Sequence, residues 1–88
     1  MSQSNTHGHF DAAEECRRLL AYFEYSHLPA ELQEVSRPFH VLAHVLTERL
    51  ARIRADSTLT DGLDARELLL GLRKLLEAKD CAVRAAIR

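Results

Sequence analysis

Five residues of this chain have side chains that suit a small nucleotide anion: Tyr25, His27, Arg37, His40 and Arg66. An aromatic ring can stack on a base, and one such stack contributes about 1–3 kcal/mol. An arginine fork matches the oxygens of a phosphate, and a helix N-terminus adds backbone N–H donors for an anion. The set therefore suits a nucleotide better than an apolar ligand. The same residue types serve more often as core plugs and solvated surface groups, so residue chemistry alone leaves both interpretations open.

A second pair of residues raises the question of a metal. His40 and His44 are four residues apart, so they share one face if their segment is helical. Two such histidines can begin a zinc site, which also needs a third and a fourth ligand at suitable spacing. The sequence has no HExxH motif, and Cys16 and Cys81 lie far away along the chain. We therefore expect no metal and no cofactor, and interpret the two histidines as flanking the core or a pocket.

Sequence motifs for catalysis are absent. The three glycines are scattered and form no phosphate-binding loop. No Ser-His-Asp or Cys-His arrangement has sequence support, and two cysteines are too few for a disulfide framework. A catalytic site needs a shaped pocket with groups of tuned pKa, which a small helical hairpin could build only by assembling copies. We expect a binding protein rather than an enzyme.

The spacing of apolar residues predicts an all-α fold with three helices. The first begins at Asp11 and ends near residues 23–24, and the second begins near Pro29, which suits a first helical position. Its apolar residues recur every three or four positions over 32–53. Pro38 falls inside that run, which predicts either a kink or a short turn over 29–36 followed by a new helix.

The third helix is expected to start at about residue 65, after a loop over 54–64 that ends in Asp64, a good N-cap. Its apolar stripe is wide enough to need two partners, namely the second helix in an antiparallel hairpin and either the first helix or another copy of the chain. Gly71 predicts a close approach of a neighbouring helix. Lys79 and Asp80 interrupt the stripe, and an ion pair from Asp80 to Arg84 would lie either on a solvated strip or at a subunit contact.

Length and charge place the chain among small soluble proteins. We expect a disordered tail over residues 1–9 and one domain over 10–88. The net charge of -1 gives no general attraction to DNA, RNA or acidic membranes. No apolar run is long enough for a membrane span, and the N-terminal residues do not form a secretory signal. These features predict a reduced, cytoplasmic location.

Two segments of the sequence resemble a known family. The stretch FEYSHLPAELQEVSRPFHVLA, residues 23–43, followed by DARELLLGLRKLLEAKDCAVRAAI, residues 64–87, resembles the small helical-hairpin domain of phage signal sponges, the anti-CBASS and anti-Thoeris proteins. An aromatic–x–Tyr–x–x–Pro-like entry leads into the first long helix of that family. The match at the end of the hairpin runs without gaps through Arg66, Glu67, Leu72, Lys74, Leu75, Glu77 and Ala78.

This resemblance implies a homo-oligomer, typically a hexamer, that binds cyclic di- or trinucleotides, or variants of cyclic ADP-ribose, without cleaving them. Sequestering the messenger keeps a bacterial antiviral effector silent, in the host cytoplasm if the chain is phage-encoded. Tyr25 matches the tyrosine that stacks on a base, and Arg66 matches an arginine of the larger cyclic oligonucleotide site. His40 falls where members of the family often have a lysine facing the ligand phosphate.

A competing hypothesis uses the same apolar surface differently. The hairpin could be a structural or protein-binding oligomer with no nucleotide ligand, in which the leucine-rich surface grips a partner helix. Mass in solution distinguishes the two hypotheses. A stable hexamer favours the nucleotide sponge, and a monomer or dimer favours the protein-binding hairpin, here called the adaptor.

Overall fold

The computed structural model describes residues 11–55 and 63–87, which are helical for most of their length. Helix α1 is Ala12–Leu19 and runs into a 3₁₀ turn, Leu20–Phe23. Helix α2 is Ala30–Ala55, and helix α3 is Ala65–Ala86. The expected all-α fold is confirmed: a short N-terminal helix packs with two long helices that form a hairpin-like pair. The tail over 1–9 and most of the loop over 54–64 lie outside the described residues.

Aspartates begin two of the three helices. One carboxylate oxygen of Asp11 accepts hydrogen bonds from the backbone N–H groups of Ala13 and Glu14, at 3.1 and 3.3 Å. Asp64 does the same for α3, accepting from the N–H groups of Arg66 and Glu67 at 2.9 and 3.4 Å. These bonds satisfy donors that the first turn of a helix leaves unpaired. The predicted cap at Asp64 is confirmed.

Helix α2 is continuous through its proline. The carbonyl of Pro29 accepts from the N–H groups of Leu32 and Gln33, so the helix begins where the sequence predicted. The expected alternative of a short turn over 29–36 followed by a new helix is wrong, because residues 30–55 form one helix. Pro38 has no backbone N–H, so the carbonyl of Glu34 lacks its helical hydrogen-bond partner. Both residues are exposed. That carbonyl lies on the wet side of the helix, where water can hydrate it.

The core lies where α1 and the 3₁₀ turn pack against the long helices. Its largest fully buried side chains are Phe23, Leu50 and Leu72, one from each of the three parts of the chain. Cys16 is also fully buried, and its thiol lies 3.8 Å from the carbonyl oxygen of Ala65 at the start of α3. The contact holds α1 against the beginning of α3.

Apolar surface remains exposed on this single chain, and most of it is on α2 rather than on α3. Val41, Leu42 and Val45 are each about half exposed along one side of α2. On α3, Leu70 is partly exposed and most other leucines are buried or half-buried. A Cβ at Gly71 would meet nothing within 4 Å, so no neighbouring helix of this chain makes the predicted close approach there.

Candidate functional site

Three of the five predicted site residues form one cluster. The ring of Tyr25 meets the ring of His40 edge-on, with centroids 5.0 Å apart and planes at 80°. The guanidinium carbon of Arg37 lies 5.7 Å from the centroid of the Tyr25 ring. Tyr25 and His40 are half-buried, and Arg37 is exposed. An aromatic face, a permanent cation and an imidazole thus lie together at the surface, and Tyr25 is 12 or more positions away from the other two along the chain.

The chain holds Tyr25 in place through its neighbours. Phe23 closes the 3₁₀ turn and is fully buried, which fixes the segment just before Tyr25. The carbonyl of Tyr25 accepts a hydrogen bond of 3.0 Å from the N–H of Leu28. The side-chain amide of Gln33 then donates to the carbonyl of Leu28 at 2.8 Å and ties the turn to α2. The segment FEYSHLP therefore contributes both to the core and to the surface, since Phe23 fills the core and Tyr25 does not.

His27 belongs to a neighbouring feature, an open surface cavity of about 420 Å³. Glu24 and His27 line one side of it, and Lys79, Asp80 and Arg84 of α3 line the other. Two cations, a histidine and two carboxylates therefore share the wall. The Nζ of Lys79 lies 2.9 Å from a carboxylate oxygen of Asp80, so Asp80 pairs with its neighbour and the expected pair with Arg84 does not form. Arg84 instead contacts the thiol of Cys81 at 3.3 Å.

Arg66 lies far from the other four predicted site residues. It begins α3 next to Ala65, whose carbonyl contacts Cys16 of α1. Lys79 in the cavity wall is about 20 Å further along the same helix at 1.5 Å per residue. Tyr25, Arg37 and His40 thus form one cluster, His27 lies in the adjacent cavity, and Arg66 is at the other end of α3. Within one chain these residues do not form a single site.

Two further residues lie at the site: His44, which the sequence placed beside His40, and Glu24, which sequence reasoning missed. His44 stacks obliquely on His40, with ring centroids 4.2 Å apart. Glu24 approaches the same pair, and one potential ligand atom from each of Glu24, His40 and His44 lies within 4.8 Å of the others. Histidines at positions i and i+4 were visible in the sequence. The approach of Glu24 depends on the turn between the 3₁₀ segment and α2, which no spacing rule describes.

Among the described residues, Cys16 has a clearly shifted pKa. Burial raises the pKa of the Cys16 thiol above its ordinary value of 9.0, the positive charge of Arg73 opposes the shift, and Glu15 adds to it. A thiol with a raised pKa in the core is a packing group rather than a nucleophile.

None of the described helices combines the length and the apolar composition that a membrane-spanning segment requires.

In comparisons with protein-family models, with curated proteins and with solved structures, nothing matches this chain.

Proposed function

We propose that this chain is a non-catalytic binding protein that sequesters a cyclic di- or trinucleotide, or a cyclic ADP-ribose variant. The observation that supports it is the cluster of Tyr25, Arg37 and His40 at the surface, beside a cavity of about 420 Å³. That volume is within the range of small-molecule sites. The resemblance to phage signal sponges suggests the ligand class, and the action is to lower the free concentration of an immune messenger in the host cytoplasm.

The cluster offers a separate group for each part of such a ligand. Tyr25 supplies a ring on which a base can stack. The Arg37 side chain is exposed, so it can leave the tyrosine ring, admit the base and pair with a phosphate in a bidentate manner. His40 lies beside the same ring as a second polar group for the phosphate. No step breaks a bond, so the ligand is held and later released intact.

Arg66 enters this proposal only through oligomer formation. Because it lies at the end of α3 opposite the cavity, we assign it to a site that two copies share. A homo-oligomer, with the hexamer as the expected state, would supply that arrangement, and the exposed apolar residues of α2 are surface that copies can bury.

Calorimetric titration with cyclic di- and trinucleotides and cyclic ADP-ribose isomers tests the proposal. Tyr25→Ala should weaken binding about 5- to 150-fold, the equivalent of one lost stack. Tyr25→Phe keeps the ring and should bind nearly as the parent does. Arg37→Ala should also weaken binding, because the phosphate loses its arginine. Arg52→Ala is its control, since Arg52 is an exposed arginine further along the same helix. Ligand recovered chemically altered would contradict sequestration, and heat changes no different from buffer across the panel would refute the ligand class.

A second candidate function is a protein-binding hairpin without a nucleotide ligand, and one observation favours it. Val41 and Val45 are one helical turn apart with Leu42 between them, and 50%, 54% and 46% of these residues is exposed. An apolar strip on a helix can pack against a partner helix. Light scattering of the parent and of Val45→Glu distinguishes the candidates. A monomer that captures no nucleotide supports the adaptor, whereas a hexamer that captures one excludes it.

A further inference from the structure

A row of buried polar atoms runs along α2. Ser36, His40, His44 and Thr47 recur at the spacing of one helical face, and each has a side-chain polar atom that is shielded from solvent without a hydrogen-bond partner. The atoms are the two hydroxyl oxygens, Nδ1 of His40 and Nε2 of His44. Leaving such an atom buried and unsatisfied destabilises a protein, because the group loses its hydrogen bonds to water without replacement. Four such atoms along one helical face make this row the part of the described chain where a further polar partner would bring most benefit.

The two histidines differ from the two hydroxyl groups in having a carboxylate nearby. Glu24, from the segment between the 3₁₀ turn and α2, brings an oxygen to the same place. One potential ligand atom from each of Glu24, His40 and His44 lies within 4.8 Å of the other two. Atoms bound to one zinc ion are closer than this, because Zn–N and Zn–O distances are about 2.0–2.2 Å. The exposed Glu24 side chain can move in to close that gap, while the half-buried imidazoles already lie against each other.

We propose that Glu24, His40 and His44 bind a divalent transition metal, with zinc as the expected ion. Two imidazoles and one carboxylate form a ligand set that zinc accepts, with a fourth position left for water or for an added ligand. The expectation of no metal site, drawn from spacing alone, is thereby revised, because the third ligand comes from a different part of the fold. Bound zinc would satisfy the imidazole nitrogens that are now without partners.

The charge of the site gives it a further property. Two neutral imidazoles and one carboxylate leave a bound Zn²⁺ with one net positive charge. Glu24 also lines the surface cavity, so the carboxylate side of the proposed site is the side from which solvent and small anions would approach. The ring of Tyr25 contacts His40 edge-on and limits how that imidazole can turn. The ligand set thus fits an ion with an exchangeable position, open to an anion from the cavity.

The zinc proposal shares His40 with the nucleotide proposal but does not require a nucleotide, and because its test uses none, the two can fail separately. The full-length chain is stripped of metal with a chelator and titrated with zinc in competition with a chromophoric chelator. His7 and His9 could also bind zinc, so the titration is repeated in a His7→Gln/His9→Gln background. We expect one zinc per chain in both proteins. Cobalt should then give the intense visible bands of a tetrahedral site.

The matched variants are Glu24→Gln and His44→Gln, with Glu48→Gln and Glu31→Gln, two exposed carboxylates of α2, as controls. Glu24 is exposed, so its replacement leaves the core intact, and circular dichroism confirms the fold of each variant. Loss of a direct ligand should weaken zinc binding by more than the roughly 10- to 100-fold typical of an outer partner. The controls should bind as the parent does. Zinc affinity unchanged in Glu24→Gln, or one-to-one binding that disappears with His7 and His9, would overturn the proposal.

Discussion

The substitution Phe23→Ala should destabilise the protein by about 4 kcal/mol. Phe23 has none of its surface exposed, and it is the residue at which the 3₁₀ turn ends. A phenylalanine buries about 150–250 Å² on folding, and about 25 cal/mol per Å² gives roughly 4–6 kcal/mol as an upper value. Substitutions of this kind in protein cores typically cost about 3–5 kcal/mol. The two ranges overlap near 4 kcal/mol.

The assay is urea unfolding followed by far-UV circular dichroism, with linear extrapolation to water. In a thermal scan the same change should lower the midpoint by about 16–32 °C, at roughly 4–8 °C per kcal/mol. Tyr22→Ala is the matched control, because the preceding aromatic residue is 64% exposed and its loss should change stability by about 0.5 kcal/mol or less. Equal destabilisation by the two variants would refute the assignment of Phe23 as the plug and of Tyr22 as a surface residue.

Other predictions concern a glycine, a helix cap and the two thiols. Gly71→Ala should stabilise the chain by about 1 kcal/mol in urea unfolding, because the new methyl group meets open space and alanine favours the helix. A loss of stability would instead place a packed neighbour at that position. Asp64→Ala should destabilise by about 1 kcal/mol through loss of the α3 cap, with Asp64→Asn retaining most of it. A thiol reagent should modify the exposed Cys81 quickly and Cys16 only after unfolding. Burial raises the pKa of Cys16, so its contribution to stability is complete below the ordinary value of 9.0 and declines as the pH rises above it, which unfolding curves in alkaline buffer would show.

Helix positions were predictable because local signals determine them. Asp64 and Pro29 mark helix starts through groups that act within one turn, and the structure agrees with both. The prediction at Pro38 partly failed because proline removes only one hydrogen bond from the helix. The packing of a 26-residue helix outweighs that loss, and the affected side faces water.

The site was less predictable because it depends on how the elements pack. Tyr25, Arg37 and His40 were selected by their chemistry, and the structure brings them together. Arg66 was selected by the same chemistry, with support from the resemblance, and lies at the other end of α3. Glu24 was overlooked, since its approach to His44 requires the chain to turn back between the 3₁₀ segment and α2. A residue's neighbours across such a turn are a property of the folded chain and leave no periodic signal in the sequence.

Pro38 also has a consequence for motion. It donates no backbone hydrogen bond, so the helical bond to the carbonyl of Glu34 is missing in the turn that carries Arg37, one turn before His40, and both of these residues contact Tyr25. Bending at this point changes the separation of these side chains while the later turns of α2 stay packed. Amide hydrogen exchange in the first turns of α2 should therefore be faster than in the turns after His40.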